Sequence, residues 1–183
     1  MSRFQHAYAP YARIGSEWQQ DVILSWDENG TLTELKTGQN KHQLPPDARS
    51  LQGALIAGMP NLHSHAFQSA MAGLTEYRGT ASDSFWSWRE LMYRFAAKLN
   101  PDDIQHIARW LYIDMLKAGY TSVCEFHYIH HQPDGTPYPV HSELASRVCL
   151  AAEQSGIGMS MLPVLYQYSN FGALPPELIR PAS

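Results

Sequence analysis

The residues best suited to chemistry in this chain are two histidines one residue apart, in His63-Ser64-His65. They follow a short apolar run, Ala54-Leu55-Ile56-Ala57-Gly58-Met59-Pro60-Asn61-Leu62, which reads as a fully buried strand bounded by turn formers. Side chains alternate along a strand, so His63 and His65 are expected to face the same way. At the C-terminal end of a βα-barrel strand that way is inward, where active sites are built. Two neutral imidazoles there can hold one divalent ion, zinc or iron by ligand type. Each ring then needs an acceptor for its other nitrogen. Nine histidines give about 0.4 such pairs by chance. The pattern alone therefore decides little, and its place after a buried strand and before a helix carries the expectation.

Other reactive residues have blander readings. His127, His130 and His131 cluster after a second strand, where a second metal would be one use of them. Histidines in a strand-end loop are more often solvated or hydrogen-bonded. Glu125 just ahead of them either orients a ligand or closes a loop salt bridge. Phe85, Trp86 and Trp88 either line a pocket or pack in a core, and packing is the default. Cys124 and Cys149 lie in apolar segments without a CxxC pair, so buried free thiols in a reducing cytoplasm are expected.

The elements that must position these residues fall into two parts. Residues 1–56 read as β, with a hairpin from Asp21–Trp26 and Thr31–Leu35 around Asn29-Gly30. A polar loop with Pro45-Pro46 follows, over residues 36–50. From residue 57 the pattern becomes strand, helix, strand, helix, strand, the rhythm of parallel βαβ units. After the first strand, Ala66–Leu74 and Ser84–Leu99 are helix-like, and 101–118 is the clearest helix. Asn100 can cap that helix, Pro101 suits its first position, and Asp102 and Asp103 favour its positive end. Ile104, Ile107, Ala108, Leu111, Tyr112, Met115 and Leu116 make one apolar stripe, and Gly119 ends it. Thr121–Phe126 is the second strand, 142–155 a helix, and Gly158–Leu165 the third strand. A closed (β/α)₈ barrel takes about 250 residues, so 57–183 is expected to hold only its first three units.

Bulk properties narrow the partners. A net charge of −4 and a pI near 6.1 argue against nucleic acid, and no Lys/Arg run suggests an acidic membrane surface. Met1–Pro10 has no basic start followed by an apolar stretch, and no window is apolar over the length of a membrane span.

Longer motifs carry a resemblance. Gly58-Met59-Pro60-Asn61-Leu62-His63-Ser64-His65-Ala66-Phe67-Gln68 is similar to the first-strand signature of the amidohydrolase superfamily. Asp83-Ser84-Phe85-Trp86-Ser87-Trp88-Arg89-Glu90-Leu91-Met92-Tyr93, the stretch Tyr112–Tyr120, and Glu125-Phe126-His127-Tyr128-Ile129-His130-His131 resemble the formimidoylglutamate deiminases within it. The likeness runs to about Gly172, and the tail Ala173–Ser183 matches least. It implies an α/β fold: a small β-sandwich segment followed by a metal-dependent (β/α)₈ barrel, here incomplete. It implies a cytoplasmic, homodimeric enzyme of histidine degradation that hydrolyses N-formimino-L-glutamate to N-formyl-L-glutamate and ammonia.

The resemblance also assigns roles. One divalent ion, zinc or iron, is held by His63 and His65 together with two His and an Asp from later strands. The groups that move protons also lie on those later strands, so no catalytic acid or base is expected within these residues. Gln68 resembles a residue facing the substrate; otherwise it is a solvent-facing amide at a helix start. Arg89 resembles a holder of the substrate carboxylate, a task suited to a planar guanidinium; otherwise it is a charge on an amphipathic helix. Tyr128 resembles a phenolic donor to substrate; otherwise it packs at the barrel rim. Two rivals remain: another deaminase of the superfamily acting on a purine or chlorotriazine-like ring, and a non-catalytic remnant or association module.

Overall fold

The computed structural model describes residues 5–39, 44–75 and 85–165, apart from the Trp86 side chain. Ser84, part of the 36–50 loop, and the tail with Leu174-Pro175-Pro176 lie outside those residues. The chain divides into two compact units, Met1–Ala57 and Gly58–Ser183.

The first unit is a four-stranded sheet in the order β3-β2-β1-β4. β1 (His6–Ile14) and β2 (Glu17–Trp26) are antiparallel, β3 (Leu32–Lys36) flanks β2, and β4 (Arg49–Ser50) runs parallel to β1. The hairpin expected around Asn29-Gly30 joins β2 to β3. There Asp27 Oδ1 accepts from the amides of Asn29 and Thr31, both at 2.9 Å, a turn built by an aspartate on its own backbone. β2 begins earlier than its apolar run suggests, because β1 supplies a partner along its whole length. β1 has little sequence signature: it buries Ala7, Tyr8, Ala9 and Ala12, mostly small side chains. Its Pro10 has no amide to donate, and the Pro10/Asp21 pair drops out of an otherwise regular ladder.

The second unit is a parallel sheet in the order β5-β6-β7. β5 is Met59–Ser64, β6 Tyr120–His127 and β7 Gly158–Pro163, with α1 (Phe85–Ala96), α2 (Pro101–Lys117) and α3 (Glu143–Ser155) in the connections. α2 starts in a capping box: Asn100 Oδ1 accepts from Asp103 N at 2.9 Å, and Asp103 Oδ2 from Asn100 N at 3.1 Å. Its buried side chains are Ile104, Ala108, Tyr112 and Met115, one stripe at helical spacing. α3 buries Leu144, Val148, Ala151 and Ala152 and ends at Gly156 with φ 83°, a conformation that glycine adopts without strain. Arg147 of α3 ties the two helices by bonding Asp102 of α2 at 2.6 Å, and Glu143 of its own helix steadies it at 2.9 Å. At the start of the sheet a Cβ on Gly58 would lie 2.2 Å from Thr121 Cγ2, so only glycine permits this approach of β5 to β6.

Three expectations need correction. Ala54–Leu62 is not one buried strand: β5 starts at Met59, and Leu62 is 73% exposed. Among the described residues β5 pairs in the sheet with β6 alone. Ala66–Leu74 is a short 3₁₀ helix, Ala66–Met71, rather than an α-helix; Gly73 follows with φ 80°, which right-handed helix does not accommodate. The thiols are not both buried. Cys124 is half-buried, and Cys149 is exposed because it lies outside the buried stripe of α3.

Candidate metal centre

The histidine pair is reached through an irregular strand end. β5 pairs with β6 at Asn61↔Val123 and next at Ser64↔Glu125, so β5 spends one residue more than β6 over this interval. Such a bulge bends the strand and re-aims its side chains. Leu62 and His63 are both exposed in consequence, and strict alternation does not describe this segment. The His63 amide, displaced from the ladder, donates to Asn61 Oδ1 at 3.2 Å.

The two rings nevertheless converge. His63 Nε2 and His65 Nε2 are 3.0 Å apart, with the rings edge-to-face at 4.6 Å between centroids. His65 Nδ1 lies 2.9 Å from the Phe126 carbonyl oxygen. A carbonyl only accepts, so Nδ1 carries the proton and Nε2 presents its lone pair. Two nitrogens on one tetrahedral zinc, each about 2.05 Å from it, sit roughly 3.3 Å apart. The pair therefore fits two positions of such an ion, and the orienting acceptor is backbone. Phe126 and Tyr128 wall the His65 ring at 5.3 and 5.1 Å.

Glu125, on the other face of β6, is 1% exposed. It closes no salt bridge among the described residues. Its Oε1 accepts from Ala66 N at 2.5 Å and its Oε2 from Tyr112 Oη at 3.0 Å. Burial, and then the Glu125 charge, drive the Tyr112 phenol far above its ordinary range, so it stays a donor.

Gln68 and Tyr128 meet beside the His65 ring. Gln68 Nε2 donates to Tyr128 Oη at 2.8 Å, and Met92 Sδ accepts from Tyr128 Oη at 3.2 Å and from Gln68 Nε2 at 3.5 Å. Four of the five residues expected from sequence thus lie in one chain of contacts. Arg89 is one turn before Met92 on α1. Its described contacts run to Tyr93, with Nε and Nη2 at 3.3 and 3.2 Å from the phenol oxygen and the guanidinium 5.2 Å from the ring centre.

The later histidines do not gather. His130 Nε2 donates to the Val164 carbonyl at 2.8 Å, and His131 is exposed. His127 is buried with no partner for Nε2, and its ring is 5.2 Å from that of His130. Burial, then the nearby His130 charge, lowers its pKa to about 4. Among the described residues no three His, Cys, Asp or Glu are placed to hold a metal, so His63 and His65 stand as two donors. Phe85 is exposed, on the outer side of the first turn of α1, and leans on half-buried Trp88 at 6.0 Å.

Three supporting residues were not foreseen. Asn61 had a signal, since an Asn side chain commonly binds the amide two residues on. Tyr112 had a weaker one, a phenol on a buried stripe that needs a partner. Met92 had none, since a methionine on an apolar helix face reads as packing.

Residues 54–169 match the model of the amidohydrolase family. The chain is 49% identical over 168 residues to formimidoylglutamate deiminase of Pseudomonas aeruginosa, covering 92% of this chain and 36% of that protein. A crystal structure of an amidohydrolase from Brucella melitensis superposes with a TM-score of 0.86 at 43% identity, over 96% of this chain and 38% of that one. A mutant atrazine chlorohydrolase from Arthrobacter aurescens, complexed with zinc and atraton, has a TM-score of 0.62 at 17% identity, over 85% of this chain and 34% of that one. The chain thus spans little more than a third of its relatives' length.

Proposed function

The chain belongs to the amidohydrolase family, and on that premise we propose that it forms the first part of a metal-dependent deiminase that takes N-formimino-L-glutamate and water to N-formyl-L-glutamate and ammonia. The observation that carries the reading is the opposed Nε2 pair of His63 and His65, with Gln68 and Tyr128 bonded to each other beside it. The substrate rests on the 49% identity to the Pseudomonas enzyme of that name.

His63 and His65 would hold a divalent ion, zinc by analogy with the Arthrobacter structure. When bound, such an ion lowers the pKa of a water ligand and polarises the carbon to be attacked. The Phe126 carbonyl keeps the His65 proton on Nδ1, away from the metal side. Gln68 and Tyr128 offer an amide and a hydroxyl at the edge of that ring, suited to the polar formimino group. Arg89 offers a guanidinium for a glutamate carboxylate. The remaining ligands and the proton-transferring groups belong to strands beyond the ones described. A homodimer and a cytoplasmic location accompany this reading, and residues 1–56 form its accessory β segment, with 57–183 the first three barrel units.

The test is a chimera in which this chain replaces the matching 168 residues of the Pseudomonas aeruginosa relative, assayed for ammonia release. Turnover of formiminoglutamate, with none of guanine or a chlorotriazine, is expected. Turnover of a ring substrate alone would overturn the assignment in favour of another deaminase. A folded, metal-loaded and silent chimera would favour a non-catalytic role.

A further inference from the structure

His65 occupies the residue before the 3₁₀ helix Ala66–Met71, where a Ser, Thr, Asp or Asn would ordinarily cap the chain. Its side chain makes no capping bond, because the ring is committed to Phe126 O and to His63. The amide of Ala66 still needs an acceptor, and water is not at hand, since Ala66 is 2% exposed. Glu125 meets that need from the neighbouring strand. Its second oxygen is held by Tyr112 of α2, so the carboxylate is fixed at both ends.

We propose that Glu125 is a positioning residue for His65: it caps the turn that begins at Ala66 from β6 and so fixes the backbone that aims the His65 ring. The arrangement lets a metal-binding side chain occupy a capping position without leaving a buried amide unpaired. Ser64, directly paired with Glu125 in the ladder, places that carboxylate level with the histidines. The role rests on the reading of His63 and His65 as metal ligands, and Glu125 itself touches neither substrate nor ion.

The experiment uses the full 183-residue chain, with zinc affinity measured by competition and the His65 ring followed by ¹⁵N NMR. In the unaltered chain His65 should show a single Nδ1–H tautomer. Glu125→Ala should mix the tautomers and weaken zinc binding about 10- to 100-fold, the usual effect of removing a group that orients a ligand. Glu125→Gln, which keeps an acceptor for Ala66, should restore the single tautomer and most of the affinity. Val123→Ala, at an equally buried position on the same strand, should lower Tm and leave both readouts unchanged. If Glu125→Ala does not fold, Glu125→Met keeps the volume without the acceptor and is judged by the same two readouts. A single tautomer with unchanged affinity in the Ala or Met variant overturns the role, as does an equal loss in Val123→Ala. Zinc binding that survives His65→Ala would sink the ligand reading instead, while the tautomer signal would still decide on Glu125.

Discussion

Acidification should destabilise the barrel unit through His127, and replacing His127 with leucine should remove that sensitivity. The imidazole is 5% exposed with no partner for Nε2, and its pKa falls from the ordinary 6.5 to about 4. The folded chain therefore keeps it neutral at pH values where the unfolded chain has already protonated it. Between those two values the unfolded state binds more protons, so stability rises with pH. The contribution is intact above about pH 6.5 and is lost as pH falls toward 4. Each pH unit in that window is worth about 1.4 kcal/mol, so about 2 kcal/mol should be gone at pH 5 and about 3 kcal/mol at pH 4. Leucine has a similar volume and no proton to gain, so His127→Leu should match the unaltered chain near pH 7 and exceed it by about 2 kcal/mol at pH 5. Urea unfolding of both proteins at steps from pH 7.5 to 4.5 measures this, since all other titrations cancel in the difference. Two parallel stability curves would refute the reasoning, because a solvated imidazole would give no differential slope.

The histidine pair and the arginine make sharper demands on the chimeric enzyme. His63→Ala or His65→Ala should each abolish activity and deplete bound metal, read by metal analysis of the purified variants; full occupancy with near-normal turnover would remove both from the ligand set. Arg89→Ala should lower kcat/KM for formiminoglutamate by ~100-fold or more, about 3 kcal/mol of charge-assisted bonding, and Arg89→Lys should recover only part. Unchanged kinetics would leave Arg89 as a helix residue whose partner is Tyr93.

Much of the second unit was legible because its signals are local. Asn100-Pro101-Asp102-Asp103 announces a helix start from side-chain chemistry alone, and the stripe from Ile104 to Met115 fixes which face is buried. The αβ alternation after Gly58 gave the parallel sheet. What stayed hidden depends on a partner remote in sequence. The extent of β1 is set by pairing with β2, since alanines give no periodic contrast. The bulge at Leu62–His63 leaves no mark in hydropathy and appears only in the register against β6. Gln68 and Tyr128 could be named singly, yet their bond spans sixty residues and runs over Met92, which no motif singles out. Glu125 was ambiguous for the same reason: a carboxylate beside a His-rich loop suggests ion pairing until its acceptor role toward Ala66 is seen.

The extra residue between Asn61 and Ser64 has a consequence for how this site can change. Because β5 advances one residue farther than β6 there, deleting Leu62 would close the bulge with Ser64 still opposite Glu125, and only the bend that re-aims His63 would be lost. Substituting Leu62, 73% exposed, would move nothing. The place of His65 is therefore insulated from the length of the bulge, whereas the aim of His63 is not: a chain lacking Leu62 should keep the bond from His65 to the Phe126 carbonyl and lose the convergence of the two rings.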